Sequence, residues 1–194
     1  MQKSLNNSTQ LLAGYLTLTV AVWSAPAAAA PPVTYTLTGD YIKIGTNELG
    51  TIGSVDNASP GILYDNTGTG TFNPSYDYLT PGTPWEGFAI KATDGGTTYT
   101  ATANNTSGYN TSGLSGTLVN ISNGNYQRVQ WTGAYTPASE SKLFDIVNVV
   151  GFNTGDKQIT MTTTITAASG RNLTNVYFAR YTDPDCYAAV GDSA

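Results

Sequence analysis

Residues 158–167 read QITMTTTITA. Ile159, Met161, Thr163, Ile165 and Ala167 fall on one set of alternate positions, and Gln158, Thr160, Thr162, Thr164 and Thr166 on the other. A period of two means a β-strand with one face buried, because successive side chains leave a pleated backbone on opposite sides. Similar patterns recur at 33–38, 41–44, 49–52, 62–64, 86–92, 97–103, 117–121, 126–135, 143–152 and 172–180. Turn residues punctuate them: Gly39-Asp40, Asn47, Asp94-Gly95-Gly96, Asn123-Gly124 and the run Asn153 to Asp156. Glycine and asparagine supply the positive φ that tight hairpins require. Ten or eleven short strands, with no helical periodicity after residue 23, predict an all-β chain folded as an antiparallel β-sandwich.

Three strands carry finer expectations. Residues 126–135 place Val129 and Trp131 on one face, with Arg128 and Gln130 on the other. Residues 143–152 are apolar on both faces, which belongs to the middle of a layered fold. Residues 172–180 follow 158–167 closely and are expected to pair back on it.

The N-terminus has a different pattern. Residues 11–23, LLAGYLTLTVAVW, form an apolar run behind Lys3 and ahead of the small residues SAPAAAA. That run is too short to span a bilayer and suits a secretory signal. The expected division is a signal peptide at 1–29, a β-sandwich domain at 30–185 and a divergent C-terminal tail at 186–194. No later apolar run predicts a transmembrane helix in the mature chain.

Charged residues make up only 11% of the chain, against about 25% in an average protein. Thr, Ser, Asn and Tyr keep the surface wet instead, as suits an extracellular protein. The few Lys and Arg are scattered and the net charge is −5. No basic stripe exists to track nucleic acid or hold an anionic membrane. Histidine is absent and Cys186 is the single cysteine, which removes the commonest general base and any internal disulfide.

Between the strands at 62–64 and 86–92 lies a loop of about twenty residues, a length that is usually functional or packed by its own side chains. Phe72, Tyr76, Tyr78, Leu79 and Trp85 predict that it packs down. Its phrases LYD…GTGTF and YDYLTPGTPWEGF, together with RYTDPD at 180–185, resemble the N-terminal β-sandwich region of large bacterial surface proteins. Those include autotransporter passengers and repeat-rich adhesins. The resemblance runs from about residue 35 to 185. It implies export and an extracellular or cell-surface location, in the periplasm or associated with the outer membrane. It supplies no catalytic residues. The long alternating strand, its neighbour and the Asp183-Pro184-Asp185 segment are also similar to mutarotase-like supersandwich folds. After Asp185 the sequence departs from the family pattern, and a truncated product or a short relative is expected.

Two constellations carry binding readings. Tyr76, Tyr78 and Trp85 form a sugar-stacking platform in one reading, with Asp77 and Glu86 as hydrogen-bond acceptors. In the other, the same rings pin the loop over the core. Asp183 and Asp185, joined by Asp145 or Asp156, offer carboxylates to calcium, or else simply end a strand. Glu86 and Glu140 are the pair that glycoside hydrolysis would need. The expected role is therefore a non-enzymatic adhesive or scaffold module without a cofactor, calcium aside, whose partners are surface glycans or other surface proteins. A carbohydrate-binding module is the alternative, and a sugar-active hydrolase or epimerase is the third.

Overall fold

The computed structural model describes residues 34–53, 60–79, 86–105 and 110–184. The expected signal peptide, Trp85, Asp185 and the tail with Cys186 lie outside them. Ten strands occur among the described residues: β1 (Thr34–Thr38), β2 (Ile42–Asn47), β3 (Ile62–Tyr64), β4 (Glu86–Asp94), β5 (Thr97–Asn104), β6 (Leu114–Asn120), β7 (Tyr126–Tyr135), β8 (Phe144–Asn153), β9 (Thr160–Ala167) and β10 (Thr174–Thr182). They form three antiparallel sheets, ordered β1-β2-β3, β10-β4-β5 and β6-β7-β8-β9.

The two larger sheets meet face to face. Phe88 of β4 and Trp131 of β7 place their ring centroids 5.8 Å apart, tilted by 60°. Alternate residues of β4 (Phe88, Ile90, Ala92) and of β8 (Phe144, Ile146, Val150, Phe152) are buried in one core, as the period of two requires. Leu37, Ile44 and Ile52 join that core from the small sheet and its turn. The architecture is all-β, antiparallel and sandwich-like.

Trp131 fits because the backbone beneath it is bare. Gly116 and Gly133 are directly paired across β6 and β7. A Cβ at either would run into the indole. The indole N–H donates to the Glu48 carbonyl at 2.8 Å, which ties the turn after β2 to the middle of the sandwich.

Several sequence expectations change. The short strand at 49–52 is a turn with a single bridge between Thr46 and Ile52. Asn47 takes the backbone there into its own side chain, accepting from Leu49 N–H at 2.9 Å and donating to the Gly53 carbonyl at 2.6 Å. β6 begins at Leu114, ahead of residue 117. The turn between β6 and β7 is Gly124-Asn125, since Asn123 and Tyr126 exchange backbone hydrogen bonds. Gly124 has φ +57° at the first central position and Asn125 is not left-handed, the pattern of a type II′ turn.

The largest change concerns β10, which pairs with β4 and not with β9. The connector 168–173 crosses from one large sheet to the other, and Arg171 clamps it there. Its guanidinium donates to Asp94 at the end of β4 (2.9 Å), to Glu140 (3.1 Å) and to the Ser141 carbonyl (2.8 Å). Asn172 N–H donates to Asp94 as well, at 3.0 Å. The Asn172 N–H bond and then the Arg171 guanidinium hold the Asp94 carboxyl below its ordinary range.

Candidate functional site

The stretch from β3 to β4 is organised by carboxylates more than by rings. Asp65 leaves β3 and turns its side chain into the loop. Its Oδ1 accepts from Thr67 N–H (2.8 Å) and Thr67 Oγ1 (2.6 Å). Its Oδ2 accepts from Thr69 N–H (2.9 Å), Thr69 Oγ1 (3.1 Å) and Thr71 N–H (3.0 Å). The alternation TGTGT makes this possible. Gly68 and Gly70 take φ +71° and +73°, so consecutive threonine amides turn toward one centre. The Thr67 hydroxyl, with the backbone N–H groups of Thr67 and Thr71, holds the Asp65 carboxyl well below the usual carboxylate range against the opposing effect of burial.

Folded-state depression at Asp65 has a definite sign. It stabilises the fold above the unfolded carboxyl's pKa, about 4, and that stability is lost as pH falls toward the native value. Asp65→Asn is expected to speed amide exchange at Thr69 and Thr71 at neutral pH and to flatten the acid limb of the stability curve. Hydrogen-exchange mass spectrometry and urea titrations from pH 3 to 7 measure both.

Asp77 does the same for the loop's far end. It is buried, and accepts from Gly61 N–H (2.8 Å), Ile62 N–H (3.0 Å) and Leu79 N–H (2.9 Å). Leu79 is fully buried, Phe72 and Tyr78 are half-buried, and Tyr76, on a single 3₁₀ turn, is 50% exposed. The loop is thus packed at Leu79 and stapled by Asp65 and Asp77, while the Tyr76 ring faces solvent.

Glu86 opens β4 and faces inward, with no exposed surface. Oε1 accepts from Arg180 Nε at 2.5 Å, and Oε2 from Ile52 N–H at 2.6 Å and Arg180 Nη2 at 3.1 Å. Asn105, equally buried, accepts from Glu86 N–H and donates to the Ile52 carbonyl. Burial pushes the Glu86 carboxyl up, and the Arg180 charge acts against it. The unit joins β4, β10, the turn after β2 and the end of β5.

Of the sugar-platform set, then, Asp77 and Glu86 both direct their oxygens to the protein's own donors. Glu86 and Glu140 are not brought together. Glu86 starts β4, whereas Glu140 shares Arg171 with Asp94 at the other end of that strand. The separation is about 25 Å at the usual rise per residue, against the roughly 5–9.5 Å that glycoside hydrolysis uses. Asp183 is exposed. Asp145 pairs with Lys142, and Asp156 accepts from Asn153. Among the described residues, no three acidic, cysteine or histidine side chains gather as a metal would require. Nor does any helix there have the length and apolar character to cross a membrane.

Asn47 was expected to mark a turn, but the parts played by Arg180 and Asn105 were not expected from the sequence. Their partners lie far off in the chain, so local patterns carry no sign of them. Comparison with family models, with curated proteins and with solved structures finds no match to this chain.

Proposed function

We propose that the chain is an exported, non-enzymatic β-sandwich module of a bacterial cell-surface protein, with an adhesive or scaffold role. The observation that carries the reading is the use made of the acids. Asp65, Asp77 and Glu86 are all buried and all spent on holding loops and strands in place. The signal-like N-terminus, the low charge and the resemblance of the 61–92 stretch to surface proteins support the same reading. The test is expression in a bacterial host followed by fractionation and N-terminal sequencing. Cleavage near residue 29 and recovery outside the cytoplasm are expected. An uncleaved chain confined to the cytoplasm would overturn the proposal.

Tyr76 favours a second reading, a carbohydrate-binding module. A half-exposed ring on a single 3₁₀ turn is a surface on which a sugar can stack. Glycan titration followed by tryptophan fluorescence separates the two readings, because Trp85 is nine residues from Tyr76 in the same loop. A saturable change supports binding there, and an unchanged spectrum leaves the scaffold reading.

A further inference from the structure

Of the eight large hydrophobic residues exposed among those described, five lie on β9 and β10: Met161, Val176, Tyr177, Phe178 and Tyr181. Both strands are the last of their sheets, so each has one edge with no paired strand among the described residues. The strand registers show how these edges lie. β4 sits over β7 through Phe88 and Trp131. A shallow cleft lined by Thr102, Ala103, Leu114 and Ser115 puts β5 beside β6. β10 is thus on the β8 side of the β4–β7 contact, and β9 is the strand beyond β8 in the facing sheet. Met161, Thr163 and Ile165 of β9 pair directly with Val150, Asn148 and Ile146, so they point to the inner side. Ile165 is half-buried against the core, but Met161 is 38% exposed.

Two donors mark the same side of the sandwich. Asn148 stands directly beside Trp131, and Arg180 directly beside Phe88. Asn148 is 1% exposed and its Oδ1 accepts from Thr163, but its Nδ2 has no partner. Arg180 gives Nε and Nη2 to Glu86, and its buried Nη1 has no partner. Buried donors without acceptors are costly and uncommon in a native protein. Edge strands are ordinarily protected by Lys, Pro or inward charge. β9 has no charged residue or proline, and the single charge of β10 is already paired.

We propose that the free edge of β10 takes an extended peptide strand from a partner protein, apolar on its inward row and bearing one carboxylate there. Its backbone continues the sheet beyond β4 and β10, its apolar side chains cover Met161, Ile165 and Phe178, and its carboxylate lies against the Arg180 guanidinium, the one charge on the inward row of β10. Strand addition of this kind takes affinity from main-chain bonds and specificity from alternate side chains. A second copy of the chain fits less well. The inward row of β10 includes Phe178 and Arg180 but no carboxylate, so the copy would bring another cation and no acceptor for it. The inference stands independently of export.

The test uses the full chain and a fluorescently labelled peptide that matches β10 in length, alternates Thr and Val, and has Glu in place of one central Val. Saturable binding is expected, with slowed amide exchange confined to β10 and β9. Replacing the Glu by Lys is expected to weaken binding about tenfold or more, since one charge-assisted acceptor is lost and a cation is placed beside Arg180. A peptide interrupted by proline should not bind. Met161→Asp, at an exposed edge position, should weaken the Glu peptide similarly while the melting curve stays cooperative. Absence of binding, equal binding of the Glu and Lys peptides, or slow exchange in the free chain at those β10 amides that point away from β4 would each overturn the proposal. So would a dimer joined through β10.

Discussion

Glu86→Ala is expected to destabilise the chain by about 3–5 kcal/mol, the range for removing one partner of a buried ion pair. The loss has three parts. The Arg180 guanidinium, largely buried, loses its counter-charge. The Ile52 N–H loses its acceptor. The fully buried site also loses the volume that the side chain fills. Glu86→Gln should cost less, because an amide oxygen still accepts from Ile52. Urea unfolding at neutral pH measures all of this, and a change below about 1 kcal/mol for Glu86→Ala would refute a structural role for the pair.

Arg180→Met gives the same site a pH signature. Burial already raises the Glu86 carboxyl, and Arg180 opposes the shift. Without the guanidinium the native carboxyl stays protonated to higher pH, while the unfolded one ionises near its ordinary value of about 4.3. Between those values the native state binds more protons than the unfolded state, so stability falls as pH rises. The variant should therefore lie closest to the parent near pH 4 and furthest from it near pH 8. The Asp65 and Asp94 carboxyls act in the opposite sense on the acid side, and the difference between variant and parent removes them.

The second large effect is expected at Trp131. Trp131→Ala should cost about 3–5 kcal/mol, as large aromatic truncations in cores do. The ring packs on Phe88 and covers two glycines that cannot fill the space left behind. The Glu48 carbonyl would also lose its donor. Trp131→Phe keeps much of the volume but not the N–H, so the gap between the two variants separates packing from the hydrogen bond. Denaturant titration followed by circular dichroism reads both, and it avoids the fluorescence that the substitution itself removes.

Most of the sheet could be read from the chain because alternation is local. β7 was placed to the residue, and the inward rows of β4 and β8 follow from Phe88, Ile90 and the Phe144-to-Phe152 alternation. What was lost is non-local. The pairing of β10 depends on Arg171 reaching Asp94, and nothing near residue 171 announces that contact. Asn148 stands in a buried row that the sequence presents as apolar, and its Thr163 partner is on another strand. In the loop, Phe72, Tyr76 and Tyr78 suggested packing by rings. The work is done largely by Asp65 and Asp77, because a carboxylate can satisfy several backbone amides that would otherwise be buried without acceptors. The candidate sugar acceptors were visible as residue types, but their burial was not.

The pairing of β4 with β10 also sets an order of events. Glu86 and Arg180 are 94 residues apart in the chain, whereas most other strand pairs join neighbours in sequence. Long-range closure is entropically slow, and a chain made or threaded N-terminus first gains its last strand only at the end. Until residue 182 has emerged, β4 and β5 stand as a hairpin with the outer edge of β4 bare, and Glu86 has no counter-charge. Assembly of this sheet thus waits on β10, and a pause in synthesis before it would hold the chain in the state most prone to pair with the wrong strand.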